Sequence, residues 1–454
     1  MLLMDDRHAQ STTAKTARTI RHRSNSYGNR PAVLACLLAA IFASPGIHAE
    51  LALSEERAIG LFYARSLELL SAAYGLDATR AEQIVAAAIP NPELNLYSQE
   101  IAPQYPDSSI GPAIYANLQQ LIETAGKRRL RMESSELGTR AAENELLDTA
   151  RTLTQWVRRA FFGLLLAQKN AETARDQLTH VEKLADAYKS RYEAGDIAER
   201  DLRRIELEVD KVRSDIDRID ADLTAARARL ATMLAWPRGA DGLVAEDRWP
   251  GSEAFGTLTD AAAASTQAID RRPDIQAAKL RHDQAKKEVE LAKAQAIPNV
   301  TILAGFGHDW GNIVTNAATL GLSVPLPLFY RNEGQIANAA ARANDREVQV
   351  RKTENTVRSE VYTAIASWRS ANSVVLRFEN DVLKKAKYIR DSAEFAYAQG
   401  GTDIVDLIQA ERDYRNAMLD YFQAEASRAF AYADLKTALG EDNPSIESVP
   451  ETQP

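Results

Sequence analysis

The chain has 454 residues, of which 45% are apolar, 26% are charged and 7% are aromatic, and its formal charge is −8. This composition is typical of a folded protein with room for two or three domains, and it excludes a disordered chain. The acidic balance argues against a nucleic-acid-binding protein, and since no stretch approaches 20 apolar residues, no conventional transmembrane helix is expected.

The first 49 residues have the organisation of a secretory signal peptide. Six basic residues precede an apolar stretch over residues 32–43, and a Pro-Gly pair follows it. This order predicts export with cleavage after Ala49, the alternative being a disordered tail before a buried helix. Cys36 is the only cysteine, so cleavage would leave a mature chain that folds without disulfides in an oxidising compartment.

Two long intervals without proline predict unusually long helices. No proline lies within residues 113–236 or 328–443, and both intervals are rich in helix-forming residues. Gly195 divides the first interval, and Gly400 with Gly401 divides the second. A helix over residues 127–194 would be about 100 Å long at 1.5 Å per residue, which is longer than the helices of ordinary globular domains.

The segments that follow these glycines carry heptad seams. Apolar residues in the first are spaced alternately by three and four positions, which predicts a left-handed coiled coil and an antiparallel helical hairpin at each glycine turn. The first seam consists of Leu202, Ile205, Val209, Val212, Ile216, Ile219, Leu223, Ala226, Leu230 and Met233. Shifted by 205 residues, the seam recurs between Leu407 and Ala438, and only Arg428 interrupts it.

These recurrences indicate an internal duplication. Without a gap, residues 192–235 match residues 397–440 at twelve positions, and the tetrapeptide Ala-Ile-Pro-Asn occurs at residues 88–91 and again at residues 296–299. Repetition of such units is explained most simply by duplication of one ancestral unit. The unit is predicted to contain a helix, two strands, a long helix, a tight turn and a further helix.

After each Ala-Ile-Pro-Asn tetrapeptide the apolar period changes to two, which predicts strands. Two hairpins are expected, over about residues 93–123 and 299–326, with loops near residues 103–111 and 308–316. The clearest apolar stripes are Val300, Ile302, Ala304 and Phe306 in one strand and Leu320, Leu322, Val324 and Leu326 in the next.

The predicted organisation of the chain follows from these units. A signal peptide occupies residues 1–49, and the first repeat occupies residues 50–236. Residues 237–257 form a linker, the second repeat covers residues 258–440, and residues 441–454 are expected to be a disordered tail. Four strands cannot close a barrel, and an open sheet edge is not tolerated in lipid, so membrane insertion would require strands from other copies.

The chain resembles the TolC family of outer-membrane efflux ducts, most of all its heavy-metal, CzcC-type branch. The motifs that carry the resemblance are Asn-Pro-Glu-Leu at residues 91–94, Gly-Lys-Arg at 126–128, Arg-Pro-Asp-Ile at 272–275 and the proline-rich segment 325–334. The resemblance covers about residues 51–440. It implies a mainly α fold with a β-barrel contribution, in which four strands from each of three chains complete a 12-stranded outer-membrane barrel above a periplasmic tunnel of 12 coiled-coil helices.

The resemblance also implies a function and its partners. The expected function is passive conduction of heavy-metal cations by a homotrimer that contacts outer-membrane lipid, a periplasmic adaptor and an inner-membrane RND pump. A duct for drugs or for type I protein secretion is the alternative within the family. An exported coiled-coil scaffold is the alternative from another class, although it would not need the period-two segments at residues 93–123 and 299–326.

No catalytic, cofactor or metal constellation is predicted. Outside the signal peptide the histidines are His180, His282 and His308, which are scattered and lack the spacing of a zinc site. His308 falls on a predicted loop. The Gly-Phe-Gly sequence at residues 305–307 interrupts a strand and does not precede a helix, so it does not form a phosphate-binding loop. We therefore expect a protein that is not an enzyme and has no cofactor.

The resemblance places a periplasmic gate at the two hairpin turns. On matching positions the gate would include Asp201 on the first helix pair, with Tyr397 and Asp406 on the second. The tips, with Gly195, Gly400, Gly401 and Thr402, would contact the adaptor.

Two departures from TolC bear on this gate. Thr402 stands where TolC has an arginine and Gln409 where it has a second aspartate, so fewer charged links would hold the closed state. Two simpler interpretations stay open: the glycines serve only as helix C-caps, and Asp406 is a first-turn carboxylate stabilised by the helix dipole.

Overall fold

Two sets of long helices and one four-stranded sheet dominate the structure, a computed structural model. The chain begins with strand β1 (Leu51–Leu53) and helices α1 (Glu55–Arg65) and α2 (Leu67–Ala87). Strands β2 (Glu93–Gln99) and β3 (Ala113–Ile122) follow, and then helices α3 (Lys127–Glu193) and α4 (Glu199–Met233). The residues that the structure describes are 51–99, 113–237, 239–240, 242–256, 260–310 and 315–445.

The second half repeats this order of elements. Strand β4 (Leu243–Ala245) leads to helices α5 (Ala261–Arg271) and α6 (Pro273–Gln295) and to strands β5 (Val300–Asp309) and β6 (Thr315–Ser323). Helix α7 (Glu333–Arg377), a π-helical turn (Phe378–Val382) and helices α8 (Leu383–Ala398) and α9 (Ile404–Leu439) complete the chain. The predicted signal peptide lies outside the described residues, as does the whole of the predicted loop at residues 103–111.

Each half starts with two helices where the sequence predicted one. Ser66 separates α1 from α2, and its hydroxyl oxygen accepts a hydrogen bond from the amide of Leu69 at 3.2 Å, which caps α2. In the second half Pro273 is the first residue of α6, where a missing amide hydrogen costs no helical hydrogen bond. Short capping signals thus divide into two helices a stretch that periodicity alone assigns to one helix.

The four long strands form one antiparallel sheet in the order β2-β3-β5-β6. Leu94 lies opposite Leu118, which lies opposite Ala304, which lies opposite Leu320. The outer strands are β2 and β6, and β3 pairs with β5 to join the two halves. The strand predictions are confirmed in position, but three details of the second hairpin were wrong.

The corrections concern where β5 and β6 end. His308 belongs to β5, lies opposite Asn316 of β6 and has its Nδ1 atom 2.7 Å from the Asn316 Oδ1 atom, so neither residue is in the loop. The Gly-Phe-Gly sequence lies inside β5 without interrupting it. Strand β6 ends at Ser323 because Pro325 cannot donate to a ladder, which leaves the predicted stripe positions 324 and 326 outside the strand.

Helices α3 and α4 form the predicted antiparallel hairpin. Arg175 pairs with Asp220 at 2.6 Å and Arg213 pairs with Glu182 at 2.8 Å, so charged residues join the two helices along one side of their seam. The seam residues of α4 are buried or half-buried. Helix α3 has 67 residues, which at 1.5 Å per residue gives about 100 Å, as the proline-free interval predicted.

The second hairpin departs from the first at the π-helical turn. This turn lies beside Tyr421 of α9, whose ring is 6.4 Å from that of Phe378. Arg428, the charged residue in the second seam, is buried and pairs with buried Glu425 at 2.6 Å. The hydroxyl of Tyr421 donates to Glu425 at 2.9 Å and approaches Glu379 of the π turn at 3.5 Å. A π turn holds one more residue than an α turn, so it locally widens the helix that packs against this polar group.

Apolar cores hold the helices against one another. The largest joins α1, α3 and α4 to a small parallel pair of strands, β1 and β4, and its fully buried side chains include Phe62, Phe161, Phe162 and Leu230. Strand β4 lies within residues 237–257, the predicted linker, and Trp249 of the same segment stacks on Phe162 at 6.1 Å. The linker therefore contributes to a core.

The end of the described chain is ordered, contrary to the predicted tail from residue 441. Asp442 pairs with Arg158 of α3, which is buried and also pairs with Glu55 at 2.6 Å. The side-chain amide of Asn443 donates to the Arg271 carbonyl at 2.7 Å. A buried arginine needs such partners, because an unpaired charge in the interior is costly. Residues 446–454 lie outside the described part.

We expect Asp442→Asn to destabilise the protein by about 1–3 kcal/mol, the cost of weakening a hydrogen-bonded ion pair to a buried guanidinium. The readout is the midpoint of thermal unfolding, followed by helical circular dichroism in detergent. The control is Asp420→Asn, at an exposed carboxylate on α9. Equal midpoints for both variants would contradict a stabilising role for the Arg158–Asp442 pair.

Candidate functional site

One face of the four-stranded sheet is apolar and exposed. Leu94, Leu118 and Leu320 share this face in one row of the register, and Ile302 lies opposite Leu322 in another. The side chain of Leu320 is 85% exposed. Because an exposed apolar patch of this kind is unfavourable in water, it marks a surface that contacts lipid or another protein.

The opposite face is polar and closely packed. Asn117 donates from its side-chain amide to the Tyr97 hydroxyl at 3.2 Å, and the ring of Tyr97 stacks on that of Tyr115 at 5.2 Å. Gly305 lies opposite Asn117 and Gly307 opposite Tyr115, where a Cβ atom would clash with the neighbouring side chain. The two glycines therefore make room for the polar side chains of β3, and the sheet separates an apolar from a polar surface.

No helix in the described ranges combines the length and the apolar character needed to span a membrane. The three histidines outside the predicted signal peptide lie on different elements: His180 on α3, His282 on α6 and His308 on β5. Among the described residues no group of three or more His, Cys, Asp or Glu side chains is arranged to hold a metal ion.

The two hairpin turns have the same backbone structure. The amide of Gly195 donates to the Tyr192 carbonyl at 2.9 Å, and the amide of Gly400 donates to the Tyr397 carbonyl at 3.0 Å. Gly195 has φ of 81° and Gly400 has φ of 72°, values that favour glycine. The interpretation of these two glycines as helix C-caps is thus confirmed, and it is compatible with a further role at the tips.

Near the turns the two hairpins pack against each other. Tyr188 of α3, Ile205 of α4 and Leu407 of α9 are buried in one apolar cluster. Burial raises the pKa of the Tyr188 hydroxyl. Since this cluster draws residues from both hairpins, moving one hairpin away from the other would expose it to water.

Two polar links accompany this cluster. Arg191 of α3 donates from Nη1 to the Tyr397 hydroxyl at 2.8 Å, and the Tyr397 ring stacks on that of Tyr188 at 5.7 Å. Glu208 of α4, which is buried, accepts from both Nε and Nη2 of Arg412 of α9, the first at 2.9 Å. These hydrogen bonds lower the pKa of the Glu208 carboxyl.

The predicted gate residues do not form one cluster within the chain. No hydrogen bond or ion pair in the described part joins Asp201 to Tyr397 or to Asp406, and the charged neighbour of Asp201 is Arg200, at 3.5 Å. Asp406 accepts from the Thr402 hydroxyl at 2.7 Å. Within one chain, Asp406 is therefore a first-turn carboxylate of α9, as the simpler interpretation held.

Sequence reasoning missed Arg191, Glu208 and Arg412. Glu208 immediately precedes the seam residue Val209, a position that a charged side chain usually occupies in solvent. Nothing in the spacing of the two hairpins shows that Glu208 would meet Arg412, 204 residues away. Packing between hairpins is required to reveal it.

A second buried carboxylate near the tips, that of Glu411, has a raised pKa, whereas the pKa of Glu208 is lowered. Glu411 of α9 is 8% exposed, and burial raises the pKa of its carboxyl, although Arg390 and His180 oppose the shift and Glu394 and Asp391 reinforce it. A carboxyl with a raised folded-state pKa favours folding in its neutral form, so this contribution is lost as pH rises through the folded-state pKa.

We therefore expect Glu411→Gln to raise the unfolding midpoint at pH 7, because the amide removes a buried charge. The gain should disappear below about pH 4.5, the ordinary pKa of this carboxyl, where Glu411 is already neutral. Glu206→Gln, at the matching position of the first hairpin, is the control. A gain that is independent of pH would contradict the assigned cause.

Comparisons with known proteins agree with this architecture. The family model for the outer membrane efflux protein family matches residues 58–235 and 264–441. The cobalt-zinc-cadmium resistance protein CzcC of Cupriavidus metallidurans is 23% identical over 390 residues, which cover 86% of this chain and 90% of that protein. The outer membrane protein TolC of Vibrio cholerae is 22% identical, over 68% of this chain and 72% of its own.

Solved structures share the fold. The outer membrane protein VceC of Vibrio cholerae superposes with a TM-score of 0.68 at 22% identity, covering 85% of this chain and 96% of its own. CusC superposes with a TM-score of 0.72 at 17% identity, covering 86% of this chain and 92% of its own. The chain belongs to the outer membrane efflux protein family and is an outer-membrane channel component of a tripartite efflux system.

Proposed function

We propose that three copies of this chain form one duct, in which their sheets join into a 12-stranded barrel and their hairpins into a 12-helix tunnel. The observation that carries this proposal is the four-stranded sheet, which has an apolar exposed face and two outer strands, each with one edge that no described strand pairs with. In lipid each outer edge needs a hydrogen-bonding partner, and pairing β6 of one copy with β2 of the next supplies it. The repeated order of elements supports an origin of the chain by duplication.

The polar face of the sheet would then line the water-filled interior of the duct. The apolar face would contact outer-membrane lipid, because alternation of apolar and polar residues along a barrel strand separates the two environments. The helices leave the sheet on one side and would extend into the periplasm. There the tips, with Gly195, Gly400, Gly401 and Thr402, would meet a periplasmic adaptor that connects the duct to an inner-membrane RND pump.

The contacts between the hairpins would hold the proposed gate closed. In this proposal Tyr397 holds the second hairpin through Arg191, and the Glu208–Arg412 pair reinforces it. Asp201 and Asp406 would face neighbouring copies or the central axis. Three Asp406 carboxylates around one axis would attract cations, as charged rings do in other channels.

Heavy-metal cations are the proposed cargo. The similarity to CzcC supports this choice, since it extends over 90% of that protein. Organic cargo is the second candidate, because the pyoverdine export protein OpmQ of Pseudomonas aeruginosa is 22% identical over 70% of this chain. Cargo choice belongs to the pump, so the test is metal resistance in a strain that lacks its own duct. Resistance should require the chain, its pump and its adaptor together; resistance to organic toxicants alone would favour the second candidate.

We expect Leu320→Arg to cost about 2–4 kcal/mol of insertion free energy if this side chain lies near the midplane of the membrane. The neighbouring substitution Thr319→Arg, on the polar face, is the matched control and should be tolerated. The measurement is the denaturant dependence of folding into lipid vesicles. Equal tolerance of both substitutions would show that the two faces have been assigned wrongly.

We expect the double variant Tyr397→Phe with Glu208→Gln to open more often than the unmodified channel in planar bilayers. Each lost link at this partly exposed site should contribute about 1 kcal/mol, roughly a fivefold change in the opening equilibrium per link. The control is Tyr388→Phe, since Tyr388 lies on α8 and is 74% exposed. Unchanged open probability in the double variant would show that these links do not hold the gate.

A further inference from the structure

The joint between the two halves of the chain shows how neighbouring strands are fastened at the helix side of the sheet. Residues 296–299 form the leading turn of β5, and Thr124 and Lys127 lie just beyond the end of β3. The Thr124 hydroxyl donates to the Pro298 carbonyl at 2.6 Å, and the Thr124 amide donates to Asn299 Oδ1 at 3.3 Å. The buried ammonium of Lys127 donates to Asn299 Oδ1 and to the Ile297 carbonyl.

The leading turn of β2, residues 88–91, has the same sequence but a different environment. Its Pro90 carbonyl accepts a hydrogen bond from the Gln120 side chain of β3 at 2.9 Å. Strand β2 is an outer strand, so among the described residues no strand ends beside its free edge. Asn91 is exposed where Asn299 is half-buried. Ile84 and Val85 in the last turn of α2 and Ile89 in the leading turn are 75%, 72% and 64% exposed, and we call these three side chains the leading patch.

The other outer strand ends in a segment that is also uncovered. Residues 324–332, the trailing segment, connect β6 to α7. Leu326 and Leu328 are each 73% exposed, and the side chain of Phe329 is fully exposed, at 101%. Two apolar surfaces therefore lie at the two opposite edges of the same sheet, both on its helix side.

The backbone places these surfaces in equivalent positions. Gly126, which precedes α3, has φ of 67° and ψ of 20°, and Asn332, which precedes α7, has φ of 68° and ψ of 17°. The chain thus enters both long helices through the same turn. Strands alternate in direction across the sheet, so β2 of a second copy continues the alternation next to β6, and its leading turn lies beside the trailing segment of the first copy.

We propose that the trailing segment of one copy packs on the leading patch of the next, and that this apolar joint fastens the copies where the sheet meets the helices. The proposal rests on the proposed trimer and names the surface that joins its members. It is the counterpart, between chains, of the joint that Thr124 and Lys127 make within the chain.

The two joints differ in chemistry because different residues begin the two long helices. Glu333 is the first residue of α7, the position that Lys127 has in α3, and its carboxylate can only accept hydrogen bonds. It already accepts from the Arg331 amide at 2.9 Å. Without the lysine, Phe329 and its leucine neighbours supply the contact, and burying them against Ile84, Val85 and Ile89 removes apolar surface from water.

The first test is a cysteine pair, Ile89→Cys with Leu326→Cys, in full-length protein that also carries Cys36→Ser. Mild oxidation should give crosslinked dimers and trimers on a non-reducing denaturing gel, whereas each single variant should give only monomers after denaturation. If the unmodified protein is trimeric and the double variant forms no crosslink between chains, the proposed joint is wrong. If the unmodified protein is not trimeric, the proposed function itself fails.

The second test replaces the fully exposed aromatic ring. Phe329→Asp should reduce the fraction of detergent-resistant trimer at least fivefold, and Phe329→Leu should retain it. Leu67→Asp is the matched control, because Leu67 is 67% exposed at the opposite end of α2. A normal trimer fraction in Phe329→Asp, together with no crosslink in the cysteine pair, would mean that the trailing segment contacts lipid and not a second copy.

Discussion

Unpaired backbone groups at the edges of a sheet are the constraint on which the rest of this structure depends. The four strands pair with one another, but β2 and β6 each present one edge to which no strand in the described part of the chain is bonded. Lipid offers no hydrogen bonds, so an apolar sheet with two open edges is stable only as part of a closed ring. Under the proposed function, the number of strands per chain therefore makes association a condition of membrane insertion.

The same constraint determines how the helices must be arranged. Each long helix starts a few residues after a strand ends, through the turns at Gly126 and Asn332, so the spacing of the strands fixes the spacing of α3 and α7. Helices separated in this way need partners to cover their apolar stripes. The hairpin partners α4 and α9 provide them, which explains why the heptad seams occur in the returning helices.

At the far end of the hairpins the balance of forces is different. The tips hold one apolar cluster around Tyr188 and Leu407, and a small number of polar links. One of these, between Arg191 and Tyr397, is partly exposed, and water competes well for such groups. In the proposed gate, a contact of this strength would hold the two hairpins together until a partner bound the tips, whereas a continuous core would not release.

Periodicity predicted those parts of the fold that repeat along one element. The two proline-free intervals and the heptad seams predicted the helical hairpins, and alternation of apolar and polar residues predicted the four strands. These patterns indicate which face of a single helix or strand is buried. The bounds of α3 fell within one residue of the predicted 127–194.

Features that depend on contacts between distant segments could not be predicted in this way. Strands β1 and β4 have three residues each and are stabilised by pairing across the molecule, so they leave no periodic signal. The order of residues 441–445 depends on a buried arginine of α3. At the candidate gate, the family resemblance named Tyr397 but not its partner Arg191, which lies on the other hairpin.

The two halves of the chain differ most where their surroundings differ. Lys127 lies at a joint enclosed within the chain, where its charge is satisfied by fixed carbonyl and amide oxygens. Its counterpart Glu333 lies at an outer edge, exposed together with Phe329. The buried Glu425–Arg428 pair and the π turn likewise occur only in the second hairpin of the described chain. The same order of elements thus occurs in both halves, because the sheet needs strands from each. The side chains at equivalent positions differ because each half has different neighbours.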